Sequence, residues 1–178
     1  TALREHVLRR FNQRSLTNFE RKPGWFGKRK PFLYEEYGFQ PETWDAQGFG
    51  SSGISLFCNW EEKRAVKRFN HTSSFAYHQA IRSTGRGWNR SFDFEPLDLR
   101  LLYLTRAVAG LGFRPKQYKR LFGSDATSDF KEVFELLFGR QLLRKEAADR
   151  AISVTPKGMF FGDTIAGLLA SRRVNHFR

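Results

Sequence analysis

The most pointed chemistry in this sequence lies in residues 44–57, WDAQGFGSSGISLF. Gly48, Gly50 and Gly53 spell G-x-G-x-x-G, a pattern that lets main-chain N–H groups approach a pyrophosphate closely. A dinucleotide fold needs that turn to follow a strand, open a helix and precede an acidic residue by about twenty positions. Here Ile54-Ser55-Leu56-Phe57 follows the glycines and reads as a strand, and no Asp or Glu lies between Lys63 and Phe92. The Rossmann reading is therefore set aside. A glycine-rich bend remains, built from Gly48, Gly50, Ser52, Gly53, Ile54 and Ser55. It either brings backbone close to a ligand or makes a tight turn at a sheet edge.

A second group is Arg82, Arg86 and Arg90 beside Trp88. Guanidinium groups match carboxylates in bidentate fashion, so the segment suits a polycarboxylate, or is simply a solvated basic loop. Lys22, Lys28, Arg29 and Lys30 interleave with Trp25 and Phe26, a mixture that binds phosphates and bases or forms an exposed surface loop. His6, His71, His78 and His176 show no metal spacing, so no metal site is expected. Cys58 is alone, which excludes a disulfide scaffold and a self-contained zinc or iron–sulfur centre. No nucleophile–base set can be assembled, so no catalytic residue is named.

The chain has 178 residues, 40% of them hydrophobic, enough for one good core or two small units. Lys and Arg number 31 against 18 acidic residues, a net charge of +13. That field attracts anions: nucleic acid, anionic lipid, or a phosphate or carboxylate substrate. It is spread along the chain, +6 up to Pro96 and +7 beyond it. No apolar run is long enough to span a bilayer and no secretory signal is visible, so a soluble, cytoplasmic protein is expected.

The elements that must position these groups follow from periodicity. Leu3, Val7, Leu8 and Phe11 predict a first helix, and 14–19 a short strand. The stretch 31–40 reads as an edge strand or an irregular cover. Residues 74–83 predict a short helix broken by Gly85 and Gly87. Pro96 opens a helix with a stripe of Leu97, Leu101, Leu104, Val108 and Leu111. Further helices fit 115–121 and, capped by Ser128, the segment carrying Phe130, Val133, Phe134 and Leu137. A hairpin joins Leu142-Leu143 to Ile152-Ser153-Val154 across a polar tip at 145–150. A last helix begins at Thr155-Pro156, with Phe160, Phe161, Ile165, Leu168 and Leu169 as its buried face. Helices, hairpin and closing helix together read as winged-helix-like.

Four blocks carry a resemblance. They are helix 2–11 with SLTNFER (15–21), the block DAQGFGSSGIS (45–55), residues 77–90 leading into the helix from Leu97, and ISVTPKG (152–158). On these the chain resembles the C-terminal portion of the oxygen-independent coproporphyrinogen III oxidase (dehydrogenase) family and its radical-SAM relatives, methyltransferases among them. The resemblance implies an α+β chain: the end of an incomplete α/β barrel (its last helix and strands), followed by a mainly helical, winged-helix-like C-terminal domain. It divides the chain into 1–60 as partial barrel, 61–95 as a basic linker and 96–178 as the C-terminal domain, folding as a lid over the barrel opening.

By the same resemblance, Gly48, Gly50, Ser52, Gly53, Ile54 and Ser55 line an S-adenosylmethionine pocket, Ile54 giving an apolar and backbone contact. Arg82, Arg86 and Arg90 would hold an anionic tetrapyrrole-like substrate. The family's cluster motif, C-x-x-x-C-x-x-C, is absent from this sequence. An iron–sulfur cluster is therefore expected only if an N-terminal radical-SAM barrel portion, in the same gene or a separate chain, completes the enzyme. Alone the chain is expected to be inactive. The alternative is a stand-alone basic winged helix that binds nucleic acid or a protein partner. It is disfavoured because the helix it would place in a groove carries Asp129, Glu132 and Glu135 against Lys131.

Overall fold

Helix α1 (Ala2–Arg10) runs directly into a tight hairpin of β1 (Phe11–Gln13) and β2 (Phe19–Arg21). The structure is a computed structural model and describes residues 2–22, 33–147 and 151–176. Residues 14–19, expected as a strand, are mostly the turn of that hairpin. Buried Ser15 explains why: its hydroxyl accepts from the Thr17 and Asn18 amides, and this local bonding competes with an extended ladder. The stretch 31–40 holds a short helix, α2 (Leu33–Gly38), in place of an edge strand. Residues 23–32, with Lys28, Arg29 and Lys30, and the hairpin-tip residues 148–150 lie outside the described residues.

The chain divides into two units, residues 41–102 and residues 1–40 with 103–178. The first is a sheet unit. Its strands β3 (Ile54–Asn59), β4 (Arg64–Asn70) and β5 (Trp88–Phe94) are antiparallel in the order β3-β4-β5. Helix α3 (Ser74–Thr84) lies between β4 and β5 in sequence. The Ser73 hydroxyl accepts from the Ala76 amide at its start, and Gly85, at φ 70°, closes it in the left-handed conformation that glycine adopts freely. Residues 61–95, expected as a linker, thus supply two of three strands and the helix of this unit. Their many charges mask a clear alternation in RAVKRFN.

Helix α4 (Pro96–Ala109) leads into the helical unit. There follow β6 (Gly112–Phe113), α5 (Pro115–Phe122), α6 (Ala126–Asp129), α7 (Lys131–Gly139), β7 (Leu143–Lys145), β8 (Ile152–Val154) and α8 (Gly162–His176). The small sheet runs β6-β8-β7, all antiparallel. Tyr118, Phe130, Phe134, Leu104, Leu137, Ile165 and Leu169 are fully buried, each stabilising by about 1.5–3 kcal/mol. Tyr118 satisfies its hydroxyl by donating to Asp129 Oδ2 at 2.7 Å, which also accepts from Ser124 at 2.6 Å. The Asp129 carboxylate is therefore occupied inside the fold. Ser128 caps nothing: it sits within α6, and α7 starts after Phe130 without a side-chain cap.

The ISVTPKG segment is a strand end tied down by its own polar atoms. Thr155 Oγ1 donates to the Gln141 carbonyl at 2.7 Å and accepts from the Gly158 amide at 2.9 Å. A 3-10 turn (Gly158–Phe161) then precedes α8. That turn breaks the helical phase of the expected stripe, so Phe160 and Phe161 are 66% and 45% exposed while Ile165 and Leu169 are buried. The described sheets are a pair and two triplets, and none closes into a barrel.

Candidate functional site

The glycine bend is folded against the sheet unit by a specific network. Ala46 pairs with Leu56, exchanging amide–carbonyl bonds of 2.9 and 2.7 Å, and Asp45 Oδ1 accepts from the Cys58 amide at 2.9 Å. These contacts cover the outer edge of β3. Gly48 then passes so close to Ile54 that a Cβ would overlap the Ile54 backbone. Its amide donates to Ser55 Oγ at 3.0 Å. Gly50 turns at φ 79° and Ser52 at φ 61°, both in the left-handed region.

Asn70, which the sequence does not single out, holds the bend from below. It is 9% exposed, and its side-chain amide donates to the Gly50 carbonyl at 2.8 Å and the Gly48 carbonyl at 3.2 Å. Tyr77 on α3 accepts the Gly50 amide at its hydroxyl, 3.3 Å away. Gly87 makes room for it: a Cβ there would collide with the Tyr77 ring. Of the six residues read as a site in the sequence, Gly48, Gly50, Ser52 and Gly53 make the bend, and Ile54, 48% exposed, and Ser55 open β3 directly after it.

Strand register fixes what stands beside Ile54. Ile54 opposes Phe69, and Phe69 opposes Arg90, so the three share a face. Leu56, Lys67 and Phe92 form the next row, and Cys58, Ala65 and Phe94 the last. No strand position on this face is acidic. Phe69 sits edge-on to Phe92 at 5.7 Å and lies under two cations, Lys67 at 5.0 Å and Arg90 at 5.3 Å. Phe92 is 52% exposed. The surface is apolar and cationic together, suited to a flat or greasy anion.

The three candidate arginines do not converge. Arg90 belongs to the face of Ile54 and Phe69. Arg86 lies 5.8 Å over Trp88, a ring that also carries Arg68 at 5.0 Å and sits on the opposite face. Arg82 lines an open groove of about 620 Å³ along α3, with Phe75, His78 and Gln79. Lys67 is the cation that sequence reasoning missed, and its signal was the two-residue spacing to Phe69 on one strand face. Among the described residues no group of three or more His, Cys, Asp or Glu is placed to hold a metal. The Cys58 thiol is pushed up to about 12 by burial first, then by the Asp45 and Glu42 carboxylates. It stays neutral at ordinary pH. No described helix is long and apolar enough to cross a membrane.

No protein-family model and no curated protein matches the chain. One solved structure does: coproporphyrinogen III oxidase from Escherichia coli, described as a radical SAM enzyme. The match covers 94% of this chain at 15% identity with a TM-score of 0.63. It covers 39% of that enzyme, so the chain spans well under half of its structural neighbour. The sheet unit and the helical unit have the mixed α/β fold of part of that radical SAM enzyme.

Proposed function

We propose that this chain is the C-terminal region of a coproporphyrinogen III dehydrogenase-like radical-SAM enzyme, acting in porphyrin metabolism or a related methyl transfer. The observation that carries the reading is the sheet face of Ile54, Phe69 and Phe92, whose strand positions hold no acidic residue, with Lys67 and Arg90 above the Phe69 ring. A tetrapyrrole with carboxylate arms pairs an apolar body with peripheral negative charge, and this face offers the complement of both. The shared fold supports the same reading. Arg90 and Lys67 would orient the carboxylates, and the two phenylalanines would exclude water from the macrocycle. The remaining arginines, Arg82 and Arg86, would contribute longer-range attraction.

The residues present fit S-adenosylmethionine in part: Ile54 offers half-exposed apolar surface beside a rigid bend. When bound next to a reducing cluster, that cofactor supplies the radical chemistry of such enzymes. The residues present do not fit the cluster itself. One cysteine cannot hold it, so its ligands would come from an N-terminal barrel portion, and the chain would be inactive alone. The helical unit supports a winged-helix reading by its strand order β6-β8-β7 and by the helices that precede its hairpin. Nucleic-acid binding through α7 is disfavoured, because Glu132 and Glu135 are exposed on it.

The test is a titration with coproporphyrin III, followed by porphyrin absorbance, beside its tetramethyl ester. Saturable binding of the tetracarboxylate, lost in a Lys67→Ala/Arg90→Ala double variant and weak for the ester, supports the proposal. Equal binding of acid and ester, or none of either, overturns it. A steep fall of DNA affinity with salt, with no porphyrin binding, would support the nucleic-acid alternative instead.

A further inference from the structure

A β-bulge re-aims one aromatic ring of the sheet unit. Arg90 pairs with Phe69 but Trp88 pairs with Asn70, so the register slips by one residue at Asn89. The slip turns Trp88 to the face opposite Ile54, Phe69 and Phe92, where β4 presents Val66, Arg68 and Asn70. There the Arg68 guanidinium is bracketed by two rings, Trp88 at 5.0 Å and Phe57 at 5.9 Å. Arg86 lies 5.8 Å over the same indole. Its backbone is fixed by Thr84, whose hydroxyl accepts from the Arg86 amide at 3.2 Å, and by Gly87, whose carbonyl accepts from the His71 amide at 3.0 Å.

Both cations are held in place, yet neither has an anion. Neither guanidinium makes an ion pair or a hydrogen bond among the described residues, and Arg68 Nε is buried without an acceptor. A buried donor without a partner and two like charges over one ring are both unfavourable. Asp93 is the one acidic strand position on this face. It pairs with Val66 in the next row and forms no ion pair with either arginine.

We propose that Arg68 and Arg86, over the Trp88 ring, form a site for the terminal phosphate of a phosphomonoester. Charge selects the class. A phosphomonoester carries about 1.5–2 negative charges at pH 7, matching two guanidinium groups, whereas a carboxylate or a phosphodiester carries one. Its three terminal oxygens accept a fork from each arginine, and Ser91, exposed directly opposite Arg68, adds a hydroxyl. Pre-organisation is the reason for the frame: guanidinium groups already fixed by rings and by Thr84 lose little further freedom when the anion binds. The site lies on the other face of the sheet from the porphyrin surface and is independent of it.

The experiment follows the isotope-labelled 178-residue chain by NMR while methyl phosphate and, separately, dimethyl phosphate are added at constant ionic strength. Methyl phosphate should move the Arg68, Arg86 and Trp88 signals saturably, and dimethyl phosphate should bind at least about fivefold more weakly, having half the charge. Arg86 is exposed, so Arg86→Gln keeps the fold, which an unchanged melting temperature verifies. It should weaken methyl phosphate at least about fivefold, the loss of a charged hydrogen bond at an open site. Equal affinity for the two esters overturns the inference, and so does equal affinity of Arg86→Gln and wild type. An absence of saturable shifts at Arg68, Arg86 and Trp88 overturns it as well. Shifts at these residues with a single-stranded oligonucleotide lacking terminal phosphates, but not with methyl phosphate, also overturn it and assign the face to nucleic acid.

Discussion

Asn70→Ala is the perturbation that tests the bend most sharply. Asn70 is 9% exposed and spends both side-chain donors on the Gly48 and Gly50 carbonyls, at 3.2 and 2.8 Å. Truncation leaves two part-buried acceptors with no protein partner. Orphaning a buried acceptor costs about 1–3 kcal/mol. Both bonds are only part-buried, so about 1 kcal/mol each is reasonable, or about 2 kcal/mol in all. A unit of this size loses about 4–8 °C of melting temperature per kcal/mol, so the sheet unit should melt about 8–16 °C lower. Trp44, Trp60 and Trp88 all lie in that unit, so tryptophan fluorescence follows its unfolding directly. Asn70→Asp is the control. It keeps the shape but sets a carboxylate against two carbonyls, so its deficit should exceed that of alanine at neutral pH and shrink as the carboxylate protonates. A melting temperature within about 2 °C of wild type for Asn70→Ala would refute the reasoning, because the bend would then not depend on its central clamp.

Other consequences are as direct. Cys58 should react with Ellman's reagent far more slowly than a free thiol at pH 8, since burial and the Asp45 and Glu42 carboxylates push it up to about 12; a rate equal to that of free cysteine contradicts this. Because its folded value is raised above the ordinary 9.0, the stability it contributes is fully present below pH 9 and is lost as pH rises toward about 12. A Cys58→Ser variant should therefore lose stability less steeply than wild type over that window in urea titrations. Gly158→Ala forces a Cβ into the Leu142 carbonyl and should destabilise the helical unit, by at least about 2 kcal/mol in denaturant melts, because backbone on both sides cannot yield. An unchanged midpoint would mean the ISVTPKG end is looser than its hydrogen bonds imply.

The sequence reveals local order where spacing and punctuation agree. Pro96 and Pro115 open helices, Gly85 and Gly123 close them, and the ISV strand pairs as its alternation predicts. It misleads where one polar atom decides. Ser15 turns the chain back through bonds to Thr17 and Asn18, so 14–19 cannot be a strand. Ser128 has the chemistry of a cap, but Asp129 beside it is recruited inward by Tyr118 and Ser124, and the helix restarts beyond it. The candidate site was half legible. Glycine spacing marks a bend, and Gly48, Gly50, Ser52 and Gly53 form one, with Ile54 and Ser55 beginning the strand after it. Its clamp is not legible, because Asn70 and Tyr77 stand about twenty positions or more away and reach the bend only through β-pairing and a helix. The arginines were grouped by proximity in sequence; alternation alone would put Trp88 and Arg90 on one side, and the β-bulge at Phe69/Asn70 separates them, with Arg86 over Trp88 and Arg90 over Phe69. Lys67 joined Arg90 through register alone.

The proposed function of this chain depends on one face of the β3-β4-β5 sheet receiving an anionic, apolar ligand. Amide and methyl chemical shifts of the isotope-labelled chain, followed during addition of coproporphyrin III, report on that face residue by residue. The shifts should concentrate at Ile54, Lys67, Phe69, Arg90 and Phe92, with Phe57, Arg68 and Trp88 on the reverse face left nearly unmoved. Shifts confined to the reverse face, or to α5 and α7 of the helical unit, would contradict the proposal.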